Sequence, residues 1–323
     1  MLILNSIFPQ PLEIDQMERS NVTFVVEFIL LGFSDLPNLR SFLFGIFLVV
    51  YLCILIGNGL LIVITKTNPA LQTPMYFFLG NFSFLEICYT SVTLPRILRD
   101  IWTQKGNIPF LSCALQICSL YILGIAECLL LAVMAYDRYV AICKPLYYPL
   151  IMNHRTCVQL VIASWITGIP AQIGLTYQIF SLNFCGPNKL NHIFCDASPL
   201  LEVACGDTYQ KEILVHLSAL FFIMIPFLLI LISYVKIIAT ILKLPSTSGK
   251  SKAFSTCSSH LIVVFVFFGT TSIVYLHPKS SQSAKSDKLF ALFYTIVTPV
   301  LNPIIYSLRN KDVIVALRKL LPK

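Results

Sequence analysis

Seven long apolar stretches run through this chain and limit its possible folds more than any other feature. They cover residues 42–65, 74–94, 113–136, 157–177, 213–241, 253–276 and 289–308. An apolar helix of about 20 residues matches the hydrocarbon core of a bilayer, which is about 30 Å thick. Only 12% of the 323 residues are charged, about half the usual share in soluble domains. We therefore predict an all-α membrane protein, a seven-transmembrane helix bundle.

The apolar stretches divide the chain into three parts. Residues 1–41 form an N-terminal tail, residues 42–308 the seven-helix domain, and residues 309–323 a C-terminal segment. Apolar residues in the C-terminal segment are spaced for one helix face: Val313, Ile314, Ala316, Leu317, Leu320 and Leu321. This spacing predicts a short amphipathic helix on the membrane surface. The chain begins without the pattern of a cleavable signal peptide, so the first span is expected to direct membrane insertion.

An odd number of spans places the two termini on opposite faces of the membrane. With the N-terminus outside, 13 of the 23 lysines and arginines fall on the inner face, as the positive-inside rule expects. We therefore predict a multi-pass plasma-membrane protein with an extracellular N-terminus and a cytoplasmic C-terminus. Asn21, in an Asn-Val-Thr triplet, is then a glycosylation site. The basic residues lie in short loops between spans, which argues against nucleic-acid binding despite the net charge of +8.

Four of the 11 cysteines fall in the segments predicted to be outside: Cys113, Cys185, Cys195 and Cys205. An even set in an oxidising compartment predicts two disulfides, and four cysteines allow three pairings. The remaining cysteines are expected to pack in the membrane or to stay reduced on the inner side. None has the paired spacing with histidine that a structural metal site needs, so we predict no metal centre.

Two carboxylates lie within the predicted spans at similar depth. Glu86 is in the second span and Glu127 is in the third, while Asn58 and Asn302 lie in the first and the seventh. Unpaired charges in lipid are costly, so the acids could share a proton, bind a cation such as sodium, or hydrogen-bond to the asparagines. The hypothesis is a polar core whose occupancy changes when the bundle switches. The alternative is a static, protonated hydrogen-bond network.

Two charged residues, Asp137 and Arg138, stand at the inner end of the third span. Asp137 can pair with Arg138 while the bundle is closed, and release of the arginine would expose a fixed charge to an inner partner. The alternative interpretation is a charge pair at the membrane interface, reaching into water along its side-chain stems.

Six ordered motifs carry a resemblance to a known family. They are GN at 57–58, PMYFFL at 74–79, MAYDRYVAIC at 134–143, SY at 233–234, KAFSTCSSHL at 252–261 and PVLNPIIY at 299–306. Together they resemble a rhodopsin-like G-protein-coupled receptor, and the finer motifs resemble the odorant receptor subfamily. The resemblance covers about residues 17–320. Two features depart from it: Phe268 stands where many odorant receptors carry tyrosine, and residues 1–16 lie outside the usual pattern.

The resemblance implies a ligand pocket in the outer half of the bundle and a G-protein cleft on the inner face. It implies the disulfides Cys113–Cys195 and Cys185–Cys205, and it places Glu86, Glu127 and Asn302 in the sodium-site region. It also implies roles in activation and coupling for Asp137, Arg138, Tyr139, Tyr234, His260, Asn302, Pro303 and Tyr306. A ligand would favour the open bundle by binding it better than the closed one. The implied partner is a heterotrimeric G protein of the stimulatory olfactory type, which raises cyclic AMP.

A candidate ligand pocket follows from helix geometry and from the resemblance. Helical turns counted outward from Arg138 give three bundle-facing residues on the third span: Leu120, Tyr121 and Gly124. The family pattern adds Ser218, Ala219 and Phe222 on the fifth span and Phe268, Thr271 and Tyr275 on the sixth. This mostly apolar set favours a small volatile organic ligand held by one or two hydrogen bonds. It contains no lysine or arginine, so a carboxylate ligand finds no counter-charge.

Three other functions were weighed against the odorant receptor: a channel or transporter, a receptor for another ligand, and an enzyme. A channel or secondary transporter would use Glu86 and Glu127 as pathway acids, but no internal repeat is visible and the inner Asp-Arg-Tyr cluster at 137–139 argues against it. A receptor for a non-odorant ligand outside olfactory tissue remains an alternative. An enzyme is not expected, because no Ser-His-Asp set, phosphate loop or metal-ligand cluster is visible. Apart from the sodium ion considered above, we expect no cofactor.

Overall fold

The computed structural model describes residues 25–34, 36–184, 187–243, 247–276, 284–308 and 311–320. Within them, seven helices are long and apolar enough to cross a membrane. They are α1 (Arg40–Thr67), α2 (Pro74–Thr103), α3 (Phe110–Cys143), α4 (His154–Phe180), α5 (Tyr209–Leu242), α6 (Thr247–Leu276) and α7 (284–308). A shorter helix, α8 (Lys311–Leu320), follows. The predicted seven-helix bundle with a short C-terminal helix is confirmed.

Three of the helices are irregular, each just before a proline. In α4, His154–Ile166 is followed by a turn and then Ile169–Phe180. A π-helical turn interrupts α5 at Leu220–Met224, and another interrupts α7 at Phe293–Val297. Pro170, Pro226 and Pro299 follow these irregularities. Proline has no N–H to donate and crowds the carbonyl four residues earlier, so the preceding turn widens.

One end of the bundle, here called the sheet end, carries a small three-stranded sheet. Strand β1 (Glu27–Leu30) pairs antiparallel with β2 (Asn107–Pro109) and parallel with β3 (Lys189–Leu190). The close approach requires a glycine, because a Cβ at Gly106 would lie 2.0 Å from the Leu30 carbonyl oxygen. The sheet, which the sequence did not predict, fixes part of the N-terminal tail to two interhelical loops.

The outer surface of the bundle is apolar over much of its area. Phe42, Val49, Leu228 and Val235 are each at least half exposed. A soluble protein rarely exposes so many large apolar side chains together, whereas lipid solvates them. On α8, Val313 and Ala316 are buried while Val315 is exposed, so this helix has the apolar face that its sequence predicted.

Candidate functional site

A cavity lies near the sheet end between α3, α4, α5 and α6. About 80 Å³ of it is open to the centre of a water molecule, whereas one water needs about 10–15 Å³ on this measure. The cavity therefore has room for a small organic molecule. Its lining consists of Tyr89, Leu120, Tyr121, Gly124, Ile125, Cys128, Gln172, Leu175, Phe194, Asp196, Val215, Ser218, Ala219, Phe222, Ile223, Phe267, Thr271 and Tyr275.

The structure brings together eight of the nine residues that the sequence assigned to the ligand pocket. The placement of Phe268 is wrong: it is buried outside the cavity, with its ring centroid 5.2 Å from that of Phe227. Its neighbour Phe267 lines the cavity instead, in line with Thr271 and Tyr275. These three residues are spaced by four, so they share one helix face, from which Phe268 is turned away.

The sequence missed the contribution of α4 and of the loop between α4 and α5. Asp196, in that loop, follows a cysteine that was expected to tie the loop to α3. The Tyr121 hydroxyl donates to Asp196 Oδ1 at 2.6 Å. Asp196 also caps the short helix Ala197–Val203 by accepting from the Ala197 N–H at 2.8 Å. A carboxylate of the loop is therefore held directly against the pocket residue Tyr121.

Covalent and hydrogen bonds fix this loop over the cavity. The predicted disulfide Cys113–Cys195 is present. The Cys195 N–H also donates to Gln116 Oε1 at 3.0 Å, and Gln116 in turn donates to the Val92 carbonyl at 3.0 Å. Cys205 is disulfide-bonded, while its predicted partner Cys185 lies outside the described residues, as does the predicted glycosylation site Asn21. The loop is thus tied to α3, and through Gln116 to α2.

The predicted polar core forms deeper in the bundle. Asn302 on α7 donates to Glu86 Oε1 on α2, and the carboxyl group of Glu127 lies beside that of Glu86. Asn58 does not bond to either acid: it donates to the Ile54 carbonyl of its own helix at 3.1 Å. The Asn58 part of the prediction therefore needs correction, since α1 satisfies that donor locally.

Three oxygens of this core are buried without a hydrogen-bond partner: Glu86 Oε2, Glu127 Oε1 and Asn302 Oδ1. Asn58 Oδ1 on α1 is also buried without a partner. Carboxylate and amide oxygens suit a hard cation such as sodium, and a carboxyl pair suits a shared proton. Among the described residues, no group of three or more His, Cys, Asp or Glu side chains is arranged to hold a metal ion. The carboxyl and amide oxygens present could coordinate a monovalent cation or share a proton.

At the opposite end of the bundle, Asp137 has a partner that the sequence did not reveal. Its Oδ1 accepts from the Tyr148 hydroxyl at 2.9 Å. Burial and the Asp137 carboxylate raise the pKa of Tyr148, so this phenol stays protonated. Of the two interpretations of Asp137 and Arg138, the ion pair does not form in this structure: among the described residues no ion pair joins them. Adjacent residues point about 100° apart around a helix, so the two side chains diverge.

Arg138 lies near a direct contact between α5 and α6. The Tyr234 hydroxyl and His260 Nδ1 are 2.9 Å apart, and their rings stack with centroids 5.7 Å apart. Arg138 lies near both side chains, and its own Nε is buried without a partner. His260 is thus buried within the bundle.

The other predicted activation residues occupy different positions. Tyr139 lies beside Lys236 of α5, with the ammonium 5.5 Å from the ring centroid. Pro303 packs against α1, where a Cβ at Gly57 would lie 3.2 Å from its ring. The side chain of Tyr306 lies outside the described residues.

Comparisons with known proteins agree with this geometry. The family model described as "Olfactory receptor" matches residues 47–323. Human (Homo sapiens) olfactory receptor 10AG1 is 63% identical over 298 residues, covering 92% of this chain and 99% of the relative. Human olfactory receptor 10A5 is 53% identical over 298 residues, covering 92% and 94%. The crystal structure of squid rhodopsin aligns with a TM-score of 0.69 at 19% identity, covering 88% of this chain and 81% of that one, and so shares the fold.

Proposed function

This chain belongs to the olfactory receptor family, and we propose that it binds a small, mostly apolar volatile ligand and activates a stimulatory olfactory G protein. Receptors of this family are multi-pass membrane proteins that respond to small ligands through a G protein, and they are not enzymes. The finer proposal is that the ligand occupies the cavity near the sheet end and that the response is a rise in cyclic AMP.

The cavity is the observation that supports the proposal most strongly. Its walls are largely apolar, as expected for a site that binds a small organic molecule through buried area and a few polar contacts. The walls include Ser218 and Ala219 of α5 and Thr271 and Tyr275 of α6. A ligand there touches the same two helices that Tyr234 and His260 join near Arg138.

This shared pair of helices suggests a mechanism. A ligand that binds the open bundle more tightly than the closed one shifts the population toward the open state. Opening moves the inner end of α6 away from α5 and breaks the bond between Tyr234 and His260. Arg138, whose Nε has no partner in this arrangement, then becomes available to the carboxyl-terminal helix of the G protein.

The polar core supports a second, linked proposal. Glu86, Glu127 and Asn302 bind either a sodium ion or a proton whose occupancy differs between the closed and open bundle. The double variant Glu86→Gln, Glu127→Gln keeps the shape of both side chains and removes both ionisable groups. We expect altered basal or maximal signalling, and altered sensitivity when choline replaces sodium in the medium. Signalling identical to that of the parent chain would exclude the switch.

Orientation in the plasma membrane is also a proposal. The basic residues favour a cytoplasmic C-terminus, α8 would rest on the inner lipid leaflet, and Asn21 would carry a glycan. Treatment with an N-glycosidase should shift the mobility of the parent chain and not that of Asn21→Gln. An N-terminal tag that antibodies reach only after permeabilisation would contradict this orientation.

The main experiment screens a broad panel of volatile compounds on cells that express this chain together with the stimulatory olfactory G protein. Cyclic AMP is recorded, and the amount of receptor at the surface is measured for every variant. We expect a concentration-dependent rise with some compounds and none with Arg138→Ala. No response to any volatile, with receptor present at the surface, would refute the proposal.

A further inference from the structure

One residue in the wall of the cavity has a buried polar atom that the protein leaves unpaired. Gln172 of α4 lines the cavity and is 2% exposed. Its Nε2 donates to Ser218 Oγ of α5 at 3.1 Å, whereas its Oε1 is buried without a partner. Among the described residues that line the cavity, no other side chain buries an unpaired polar atom. Because an unpaired acceptor destabilises the protein, a ligand that brings a donor gains affinity.

Two hydroxyl groups of the cavity already donate hydrogen bonds within the protein. The Tyr121 hydroxyl donates to Asp196, and the Thr271 hydroxyl donates to the Phe267 carbonyl of its own helix at 2.7 Å. Gln172 and Ser218 are therefore the main residues that determine which polar group the ligand carries.

The position of Gln172 has a local cause. Gly168 stands at the break in α4, and a Cβ there would lie 3.0 Å from the Ile125 side chain of α3. The glycine thus lets α4 approach α3 closely at this point. One turn later, Gln172 enters the wall of the cavity beside α5, and Leu175 of the same helix lines the cavity as well.

The chemistry of this pair selects a hydroxyl group. Gln172 Oε1 only accepts, whereas the Ser218 hydroxyl, while accepting from Gln172, keeps its own proton to donate. An alcohol can donate to Gln172 and accept from Ser218, so both are satisfied. An aldehyde or ketone only accepts and leaves Gln172 Oε1 unpaired. A carboxylate likewise leaves Gln172 Oε1 unpaired. It would also lie in the same cavity as Asp196, where no Lys, Arg or His among the described lining residues offers a positive charge.

We infer that Gln172 and Ser218 form a hydroxyl-binding subsite and that the ligand of this receptor is a small apolar alcohol. The inference rests on the proposed function, because it specifies the ligand of the same cavity. The apolar remainder of the lining holds the carbon skeleton, and the subsite fixes its orientation.

The test uses matched sets of alcohol, aldehyde and carboxylic acid on the same linear, branched and cyclic carbon skeletons, for example n-octanol, octanal and octanoic acid. Cells expressing the full chain and the olfactory G protein report cyclic AMP. The readout is the ratio of half-maximal concentrations, aldehyde to alcohol, within one variant, because receptor amount then cancels. We expect a ratio of about ten or more for the parent chain, equivalent to about 1.4 kcal/mol.

Two variants test whether Gln172 causes the preference for alcohols over aldehydes. Gln172→Met preserves side-chain length and removes the acceptor, so the ratio should fall to near one. Gln178→Met is the matched control on the same helix: Gln178 is half-buried, accepts from Lys211 Nζ at 2.9 Å and does not line the cavity. It should keep the parent ratio.

The outcomes separate the two proposals. Aldehydes as potent as alcohols on the parent chain, or an unchanged ratio in Gln172→Met, would overturn the subsite while the receptor function stands. If no volatile of any class raises cyclic AMP with receptor at the surface, the proposed function fails, and the subsite fails with it.

Discussion

Single polar side chains join separate elements at three depths of this bundle. Tyr121 binds the loop residue Asp196, Asn302 of α7 binds Glu86 of α2, and Tyr234 of α5 contacts His260 of α6. Each of these residues except Asp196 was singled out from the sequence, but the pairing of Tyr121 with Asp196 and that of Tyr234 with His260 were not predicted. Which residues become hydrogen-bond partners depends on how helices far apart in sequence are rotated against each other. Residue spacing along one helix does not contain that information.

Asp137 shows the same limit. In the sequence Asp137 is next to Arg138, which suggests an ion pair. In the structure Asp137 instead accepts a hydrogen bond from the hydroxyl of Tyr148, 11 residues later. The chain turns back there through Pro145–Tyr147 and the short helix Tyr148–Ile151. Packing against α3 determines this turn, so the residue next to Asp137 in the sequence did not reveal its hydrogen-bond partner.

Removal of the Tyr234 hydroxyl is expected to destabilise the receptor. Tyr234→Phe keeps the ring stacked on His260 but leaves Nδ1 of the buried histidine unpaired, which costs about 1–3 kcal/mol. Thermal unfolding of the purified receptor in detergent should show a lower midpoint. Tyr136→Phe is the control, because Tyr136 is exposed on α3. Equal midpoints for the two variants would mean that the contact between Tyr234 and His260 adds nothing to stability.

At the scale of elements, the sequence predicted the seven helices and missed the sheet. Long apolar runs are a strong signal, because only a helix satisfies the backbone in lipid. The helices extend beyond these runs: α2 reaches Thr103, although its apolar stretch ends near residue 94. Strands β1 to β3 have two to four residues, too short for an alternating pattern to be recognised.

The sheet depends on one glycine, which gives a prediction for this element. Gly106→Ala forces a Cβ to within 2.0 Å of the Leu30 carbonyl oxygen, so β1 and β2 must separate or shift, at a cost of about 1–3 kcal/mol. We expect less receptor at the cell surface and a lower unfolding midpoint. Gly45→Ala on α1 meets nothing within 4 Å and should be neutral or slightly stabilising. Normal behaviour of Gly106→Ala would show that the sheet is dispensable.

At the scale of the whole molecule, the cavity and Arg138 lie toward opposite ends of the same bundle, and α3 and α5 run past both. The sequence located eight of nine proposed pocket residues: helical periodicity gave the three on α3, and the resemblance to odorant receptors implied those on α5 and α6. It missed Gln172, Phe194 and Asp196, since α4 and the loop enter the pocket through contacts between distant parts of the chain.

The central claim is that occupation of this cavity drives signalling, and filling the cavity tests it most directly. Gly124 lines the cavity, and a Cβ there meets nothing within 4 Å, so Gly124→Ala should fold and respond nearly as the parent chain does. Gly124→Leu places a branched side chain in the space of about 80 Å³ that the ligand needs. In cyclic AMP dose–response curves at equal surface expression, we expect Gly124→Leu to lose at least about tenfold in potency for every active volatile. A Gly124→Leu receptor with the potency of the parent chain would contradict the account.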